Sequence, residues 1–342
     1  MAITIRLAGK GDQVRWDDFV HAQEGMGPYH LFGWKTAVEK AYHHTSHYLI
    51  AEDEKGRIQG VLPLILIKPP LLRGCMVSLP FCDYGGALAV DRATEALLIR
   101  KAVDLARSHR ANLEIRCKSA SVSFLTLPRF DVTSHKSRMV LPLSKNSETL
   151  FRMFKSKLRS QIRRPQKEGM LFRMGSRELL DDFYRVFSRN MRELGSPVHA
   201  KDWLCSVVDS FDGKAHVGMV YSGRVPVAGG VILSCNDTVT VPWASSLSQY
   251  NRLSPNMLLY WGFLQYASDN GFKRFDFGRS TPGEGTYRFK EQWGAEPSPL
   301  YWYSVNTNGT NPARRYIERT WAFIPQSFTD RIGPLLRRYI RL

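Results

Sequence analysis

A short segment near residue 280 gathers side chains that could stabilise negative charge and move protons. It reads FDFGRSTPGEGTYRFKEQWG over residues 275–294 and contains Arg279, Tyr287 and Lys290. A fixed ammonium in a cleft shielded from water stabilises the oxyanion that forms during acyl transfer. A tyrosine can donate a hydrogen bond or a proton to a leaving oxygen, and an arginine can hold a phosphate through two hydrogen bonds. For each of these three residues, a packing or surface role is the alternative.

A second group of candidates lies in a basic run over residues 152–177, which contains nine Lys or Arg residues and a single acid. Helical spacing would put Arg152, Lys155, Arg159 and Arg163 on one face, beside an apolar stripe. Like charges at this spacing repel one another. We therefore expect a pyrophosphate or a polyanion to bind there, with a solvated helix face as the alternative.

The elements that must position these residues occur twice along the chain. Apolar strands meet at a Gly-Arg turn around Gly56 and again around Gly223, which is typical of β-hairpins. A helix and a strand then follow each hairpin, from Ala96 and from Met257. The repeat spacing is about 160 to 167 residues, close to half the chain. The sequence therefore predicts two copies of one α/β unit, and chance similarity of apolar hairpins is the alternative.

The second copy shows the clearer order of elements: helices, three antiparallel strands, a helix and a strand. The predicted helices cover residues 147–164, 177–194, 201–210 and 254–271, and the predicted strands cover residues 215–221, 227–234, 238–244 and 275–278. Ser147 is the expected cap of the first helix, and Pro165 is expected to stop or kink it. Ser254 and Pro255 form the expected start of the last helix. This order resembles the core of GNAT-type acyltransferases.

Composition limits the class of protein. Hydrophobic residues make up 43% and charged residues 23%, as in an ordinary globular protein, and the net charge of +17 favours anionic partners. The five cysteines form no CxxC pair, and the three histidines over residues 43–47 have no acidic partner, so no metal site is expected. The amino terminus has no apolar signal region, and the apolar run over residues 61–72 is too short and broken to span a bilayer. We therefore expect a cytoplasmic protein with reduced cysteines.

Four segments together resemble the Fem family of peptidyltransferases, and within it the FemAB-related proteins associated with PEP-CTERM/exosortase systems. They are FDFGRSTPGEGTYRFKEQWG, LPFCDYGG at Leu79–Gly86, KLRSQIRRPQKEG at Lys157–Gly169 and the tail WAFIPQSFTDRIGPLLRRYI. The resemblance implies an α/β (α+β) fold of tandem GNAT-like acyltransferase domains, with mixed, mostly antiparallel sheets flanked by helices. We expect the domains to cover residues 1–145 and 146–305 and a basic tail to cover residues 306–342.

The resemblance also implies the transfer of an acyl or aminoacyl group onto an amine. Fem enzymes take an amino acid from aminoacyl-tRNA and place it on a cell-wall (peptidoglycan) precursor, whereas the exosortase-associated branch is linked to exopolysaccharide and surface-protein systems. We expect an amine on an anionic cell-envelope or exopolysaccharide-related acceptor. The acyl donor stays open between aminoacyl-tRNA and acyl-CoA, and no permanently bound cofactor is expected.

The family's site residues carry over to a few positions. Lys290 matches the lysine of the family's Phe-Lys pair, which contacts substrate and supports the developing charge, and Phe289 and Trp293 flank it. Asp83 resembles the aspartate of an aspartate-tyrosine pair beside the acceptor, although the family spacing differs. A carboxylate there could orient or deprotonate the amine, and Tyr84 could contact substrate. A simple turn is the alternative for Asp83 and Tyr84.

The stretch QYNRLSPN from Gln249 stands where GNAT enzymes carry a Q/RxxGxG/A loop. In those enzymes, the backbone N–H groups of the loop and of the following helix hold a pyrophosphate. Arg252 and Ser254 occupy the two small-residue positions, so their side chains would obstruct close approach of the backbone. This argues against ordinary acetyl-CoA binding, although Arg252 could itself meet a phosphate.

The tail combines arginines with Trp321, Phe323, Ile324 and Phe328. It could lie on an anionic membrane surface at the inner face, or it could form a helix packed on the second domain. The expected partners are an anionic small-molecule or lipid-linked substrate and tRNA as a donor. Two rival functions remain: an acetyl-CoA-dependent N-acetyltransferase acting on amino sugars, and a non-enzymatic adaptor for polyanions or membrane surfaces.

Overall fold

The computed structural model describes residues 2–124, 130–305 and 324–341. These residues form two compact units, of which the first contains 2–137, 298–305 and 339–341 and the second contains 138–297 and 324–338. The sequence placed the division at 145/146. The two compact units divide at 137/138, and the strand Ser137–Pro142 belongs to the sheet of the second unit. Trp321 and Phe323 of the expected tail lie outside the described residues.

The first unit contains a four-stranded sheet, in the order β1-β3-β4-β7, and a six-stranded sheet, in the order β2-β5-β6-β8-β17-β9. Its elements, labelled in order along the whole chain, are β1 (Thr4–Leu7), α1 (Gln13–His21), α2 (Phe32–Tyr42), β2 (Thr45–Ser46), β3 (Leu49–Glu52), β4 (Ile58–Leu62), β5 (Ile65–Ile67), β6 (Cys75–Val77), β7 (Leu88–Ala89), α3 (Arg92–Ser108), β8 (Asn112–Cys117), β9 (Asp131–Thr133) and β17 (Tyr301–Val305). The expected hairpin at Gly56 is present as β3 and β4, and the expected helix and strand that follow are α3 and β8.

The second unit is built on a seven-stranded sheet, in the order β11-β12-β13-β14-β15-β10-β16. Its elements are β10 (Ser137–Pro142), α4 (Ser147–Met153), α5 (Ser156–Lys167), β11 (Met170–Gly175), α6 (Leu180–Glu193), α7 (Lys201–Ser210), β12 (Ala215–Ser222), β13 (Val225–Cys235), β14 (Thr238–Ser246), α8 (Pro255–Asp269), β15 (Arg274–Ser280), α9 (Gly285–Glu291), β16 (Glu296–Pro299) and α10 (Gln326–Arg337). The strands β11 to β14 form an antiparallel meander, and β15 joins β14 in parallel. The order of helices, antiparallel strands, helix and strand is the expected one.

The expected single helix over residues 147–164 is two helices. Phe154 adopts extended backbone with ψ at 144° and ends α4, and its buried ring lies with its centroid 5.5 Å from that of Trp293. Burial of this aromatic ring therefore breaks the helix. Asn146, not Ser147, caps α4 by accepting a hydrogen bond from the Thr149 N–H, and α5 continues past Pro165 to Lys167.

The break changes the expected basic face. Arg152 lies on α4, where it pairs with Glu148, and Lys155 precedes the first residue of α5. The prediction that four cations share one helix face was therefore wrong, and only Arg159 and Arg163 of that set lie on α5.

An ion-pair cluster holds the amino-terminal strand of the first unit. Arg6 on β1 contacts the carboxylate of Asp12 at 2.6 Å and that of Glu52 on β3 at 2.8 Å. Asp12 is 9% exposed and also accepts a hydrogen bond from the Gly9 N–H at 2.8 Å. The hydrogen bond from Arg6 lowers the pKa of Asp12 to about 2. This carboxylate therefore stabilises the folded state only while it is ionised.

We expect Asp12→Asn to lower the free energy of unfolding at pH 7 by about 1–3 kcal/mol, because a charged hydrogen-bond network is broken. The folded-state pKa lies below the ordinary value, so the wild-type advantage is complete above about pH 5 and is lost as pH falls towards 2. Urea unfolding across this range checks it, with Asp18→Asn as the control at an exposed carboxylate on α1. A difference between Asp12→Asn and wild type that persists unchanged at pH 2 would contradict the assignment.

Candidate functional site

Two neighbouring parallel strands of the second sheet part from each other. β14 and β15 pair over three positions, the last of which joins Thr240 to Asp276. Beyond that pair, β14 continues to Ser246 and β15 to Ser280. The two strands therefore open a cleft beyond Thr240 and Asp276.

The parting follows from two residues, each two positions beyond the last pair. Pro242 on β14 has no N–H to offer a neighbouring strand, and it lies where the pairing with β13 shifts register between Val231 and Leu233. Proline inside a sheet is confined to edges and bulges. Gly278 on β15 has φ at +74°, in the left-handed region that glycine adopts without a steric penalty. The sequence of each strand therefore ends the parallel ladder at this point.

A buried carboxylate stands at the branch point. Asp276 is 1% exposed, and its Oδ2 accepts a hydrogen bond from Nε of Arg138 on β10 at 2.9 Å. Its Oδ1 accepts a hydrogen bond from the Gly278 N–H at 2.9 Å. A buried charge is stable in a protein only when it is paired and hydrogen-bonded, and both conditions are met. Asp276 therefore fixes the left-handed turn at Gly278.

The helix α9 places the candidate ammonium at the end of the parted strand. Lys290 is 7% exposed, and its Nζ donates hydrogen bonds to the carbonyl oxygens of Gly278 at 3.1 Å and Arg279 at 2.8 Å. The two carbonyl dipoles hold the cation in a fixed position. The same bonds join α9 to β15, so Lys290 also has a structural role.

The strand predicted over residues 275–278 is longer in the structure, and Arg279 and Tyr287 lie on different elements. Arg279 lies on β15, which extends past Gly278 to Ser280, whereas Tyr287 lies with Lys290 on α9. The strand continues because Gly278 turns the backbone without ending the strand. The chain then reverses through a short segment that includes Gly283, whose φ is +83°.

The aromatic residues beside Lys290 pack into the core of the second unit. Trp293 is 1% exposed, and its ring meets those of Phe154 and Phe277. The Phe289 ring lies edge-on to Tyr260 with a centroid distance of 5.1 Å. Tyr287 is half-buried at the margin of the same cluster. These placements favour packing roles for Phe289 and Trp293, and their contact with substrate stays a prediction.

The segment after β14 differs from a glycine-rich phosphate cradle. It forms a 3₁₀ helix over Ser248–Leu253, from which the side chain of Arg252 is exposed to solvent. Ser254 has φ at +57°, a conformation that favours glycine, and Pro255 starts α8 without an N–H group. The first turn of α8 therefore offers fewer backbone donors than a helix without proline would.

Four cations of α5, together with the acid Glu168, line an open surface cavity of about 560 Å³. They are Arg159, Arg163, Arg164 and Lys167. Within the described part of the chain, none of the four forms an ion pair. The arrangement concentrates positive charge that an anionic ligand would neutralise.

The candidates Asp83 and Tyr84 lie in the first unit, where β6 and β8 are also parallel and pair over three positions that end at Val77 and Glu114. There, β6 ends at Val77, and the segment Leu79–Gly86 follows it beside β8. The Gly85 N–H donates to the carbonyl oxygen of Arg116 at 3.0 Å, and Arg116 Nη1 donates to the carbonyl oxygen of Cys82 at 2.7 Å. In the first unit, the segment LPFCDYGG therefore takes the place of a continuing β6.

Tyr84 is 2% exposed and lies beneath the ammonium of Lys118, whose Nζ is 4.1 Å from the ring centroid. It lines a cavity of about 120 Å³ together with Glu95 and Cys117. Asp83 is half-buried, and its carbonyl oxygen accepts a hydrogen bond from the Trp302 side chain. Asp83 belongs to the first unit and Lys290 to the second, so their action in one reaction stays a prediction.

Several site residues were missed from the sequence. Asp276 and Arg138 are separated by most of the second unit, and an ion pair between distant residues leaves no local pattern. The sequence offered one signal for Asp276, an acid placed between the two phenylalanines Phe275 and Phe277. The hydroxyls of Thr240 and Ser280 are buried without a hydrogen-bond partner among the described residues, and they flank the parting.

The described residues hold neither a metal centre nor a spanning helix. Across residues 2–124, 130–305 and 324–341, no group of three or more His, Cys, Asp or Glu side chains could hold a metal ion. In that same part of the chain, every helix is too short or too polar to cross a bilayer.

Residues 152–291 match the model of the acetyltransferase (GNAT) domain family. The matched region contains β14, β15 and α9, and hence the parted strands and Lys290. No curated protein sequence matches the chain significantly.

Three solved structures share the fold over nearly the whole chain. FemX superposes with a TM-score of 0.69 at 15% identity and covers 93% of this chain and 100% of its own. The C-terminal domain of a putative lysylphosphatidylglycerol synthetase from Agrobacterium fabrum gives 0.59 at 13% identity, covering 91% and 95%. A tandem GNAT protein from the clavulanic acid biosynthesis pathway gives 0.55 at 12% identity, covering 91% and 100%.

The expected α/β fold of tandem GNAT-like domains is confirmed. The family match identifies a GNAT-type domain over residues 152–291, and the likeness to the solved structures shows that the fold is shared. GNAT enzymes use acyl-CoA as a co-substrate rather than as a bound cofactor. The acetyltransferase (GNAT) domain match over residues 152–291 supports an acyltransferase, and the fold over nearly the whole chain is that of tandem GNAT-like units.

Proposed function

We propose that the chain transfers an acyl or aminoacyl group to an amine on an anionic, cell-envelope-related acceptor. The observation that carries the proposal is the buried ammonium of Lys290, held at the end of β15 just beyond the point where β14 and β15 part. Where two strands part, their backbone N–H and C=O groups no longer bond to each other. These groups are then available to bind the acyl donor. A preorganised cation beside it acts where charge develops.

The chemistry needs no covalent enzyme intermediate. The acceptor nitrogen attacks the carbonyl carbon of an ester or thioester, so a C–N bond forms and the C–O or C–S bond breaks. The carbonyl oxygen becomes an oxyanion on the way, and Lys290 stabilises it. The nitrogen must lose a proton and the leaving group must gain one. Asp83 and Tyr287 are the candidates for these transfers.

The phosphate-bearing part of a substrate would meet two sets of cations. Arg252 projects from the segment before α8, and α5 presents Arg159 and Arg163 into its cavity. Ser254 and Pro255 weigh against the ordinary pyrophosphate cradle at the start of α8. This combination favours an unusual donor such as aminoacyl-tRNA, and Arg279 is a further candidate for contact with substrate.

The acceptor is proposed from charge and from resemblance. The net charge of +17 favours anionic envelope molecules, whether small or lipid-linked. The Fem-like motifs favour a peptidoglycan-related or exopolysaccharide-related amine, and the exosortase link rests on those motifs alone. Comparing the masses of envelope precursors and exopolysaccharide with and without the gene tests the proposal, since loss of the gene should remove the mass of one acyl or aminoacyl group.

The second candidate function is an acetyl-CoA-dependent N-acetyltransferase that acts on amino sugars. The match of residues 152–291 to the GNAT acetyltransferase model favours it. Calorimetry with acetyl-CoA separates the two candidates. Binding in the micromolar range supports the acetyltransferase, and failure to bind at millimolar concentration supports a different donor.

Lys290→Met should reduce turnover by about 100-fold or more, because the oxyanion loses its fixed cation. It should also lower the free energy of unfolding by about 1–3 kcal/mol, since two carbonyl groups lose their donor. Turnover is therefore measured well below the melting temperature of the variant. Arg288→Met, which removes an exposed cation from the same helix, is the matched control. Near-normal turnover of Lys290→Met would leave Lys290 with a structural role only.

Gly278→Ala should destabilise the protein by about 1–3 kcal/mol and reduce turnover, because a Cβ is strained at φ +74° and the carbonyl that holds Lys290 must shift. Gly285→Ala is the control from the same motif. A Cβ at Gly285 meets no atom within 4 Å, and alanine suits the first residue of α9. Chemical denaturation and steady-state kinetics compare the two variants. Equal stability of both would show that the turn at Gly278 is not required.

Replacing Arg159, Arg163 and Arg164 together with glutamine should weaken binding of inorganic pyrophosphate by at least about tenfold, because the cavity loses most of its positive charge. It should also reduce the salt dependence of that binding. The control replaces three exposed arginines of α3, Arg92, Arg100 and Arg107, and has the same net charge. Equal binding by both variants would show that α5 is a solvated face.

A further inference from the structure

The turn between β5 and β6 presents two adjacent leucines to solvent. Leu71 is 105% exposed, the highest value among the exposed large hydrophobic residues of the described chain, and Leu72 is 63% exposed. Single apolar residues on a surface are common and need no explanation. Two adjacent leucines at one turn are different, because the side chain of Leu71 is wholly exposed and that of Leu72 is mostly exposed.

The backbone of this turn is stiff and strained. Pro69 and Pro70 precede the leucines, and the Leu72 N–H lies 3.4 Å from the carbonyl oxygen of Pro69. Leu71 has φ at +58°, a region that a residue with a Cβ enters at an energetic cost and glycine enters freely. A leucine at a position that suits glycine points to a use for its side chain outside the fold.

Cations surround the two leucines. Lys68 and Arg73 flank them in sequence, and both are exposed. The Asn112 N–H donates to the carbonyl oxygen of Gly74 at 2.9 Å, which brings the exposed Arg110 to the same end of the unit. Among the described residues, Lys68, Arg73 and Arg110 form no ion pair.

We infer that the Leu71–Leu72 turn inserts into the surface of an anionic lipid bilayer. Apolar side chains at the apex would enter the acyl boundary, and long cationic side chains set back from the apex would meet lipid phosphates. The leucines of the turn therefore match the acyl layer of a bilayer, and the cations behind them match its phosphate layer. A protein interface would instead need an apolar centre of several neighbouring residues, whereas the neighbours of the leucines are prolines and cations.

The position of the turn within the first unit is compatible with this inference. It lies at the amino-terminal ends of the parallel strands β6 and β8, whereas the segment Leu79–Gly86 follows the carboxyl-terminal end of β6. Membrane contact at the turn would therefore leave the Tyr84 cavity unobstructed. The inference does not rest on the proposed transfer reaction.

Vesicle flotation tests the inference with the full chain. The probes are vesicles of phosphatidylcholine alone and vesicles that contain 30% phosphatidylglycerol by mole (roughly the anionic content needed for strong attraction). We expect wild type to float with the anionic vesicles and Leu71→Ser/Leu72→Ser to bind at least about tenfold more weakly, with an unchanged melting temperature. Leu194→Ser, at a leucine 67% exposed in the second unit, should bind like wild type.

A second variant separates this turn from the carboxyl-terminal helix. Phe328 and Leu335 are 53% and 61% exposed on α10 beside Arg331, so Phe328→Ser/Leu335→Ser tests the expected membrane contact of the tail. Flotation of this variant like wild type supports the turn as the membrane contact. Three results would overturn the inference: no flotation of wild type with anionic vesicles, undiminished flotation of Leu71→Ser/Leu72→Ser, or loss of flotation in the α10 variant alone.

Discussion

The candidate site depends on one buried carboxylate. Asp276 occupies the last parallel pair between β14 and β15, and it holds both the neighbouring strand, through Arg138, and the turn at Gly278. The carbonyl of Gly278 in turn accepts a hydrogen bond from Lys290. A single chain of hydrogen bonds thus runs from β10 through the branch point to the ammonium. Because every member is buried or nearly so, displacement of one leaves its neighbours with unsatisfied charge, which is far more costly than the loss of one surface contact.

The two units differ at the ends of their parallel pairs. Each contains a parallel pair that ends after three positions, β6 with β8 and β14 with β15. In the first unit, β6 ends at the last paired residue, and the following segment Leu79–Gly86 bonds to Arg116, which is 1% exposed and pairs with Glu114 at 2.6 Å. In the second unit, Pro242 and Gly278 end the ladder, and both strands continue, β14 to Ser246 and β15 to Ser280. Of these two pairs, the second therefore opens between continuing strands, whereas the first is closed by the segment that follows β6.

Local patterns were enough to predict most elements of the second unit. The helix α7 has the expected bounds, and the hairpin at Gly223 follows from apolar strands on either side of a turn. The exceptions have nonlocal causes. Phe154 breaks a helix because its ring fits between side chains far along the sequence, and Asn146 rather than Ser147 caps α4. Helical spacing in the sequence cannot predict the helix break at Phe154 or the cap at Asn146, because both depend on contacts that form only in the folded protein.

The same limit applies to the site. Lys290 was identified from residue type and motif, but neither the helix that carries it nor the last two residues of β15 were predicted. Asp276 gave only a weak signal, since an acid that alternates with two phenylalanines is equally typical of an edge strand. Its partner Arg138 is remote in sequence, so the ion pair required coordinates. Residue types therefore predicted the chemistry of the site. The contacts that position Lys290 could be seen only in the folded structure.

Backbone strain marks the same regions independently of any motif. Non-glycine residues in the left-handed region include Leu79 and Phe81 in the segment that follows β6, Ser254 at the start of α8 and Leu71 in the exposed turn. Each such residue costs free energy that surrounding contacts must offset. At Leu79 and Phe81, burial and the Arg116 hydrogen bonds supply that compensation. Leu71 has no comparable burial. Contacts within the protein therefore do not offset the backbone strain at Leu71. In the inference drawn above, contact of the side chain with a lipid bilayer offsets it.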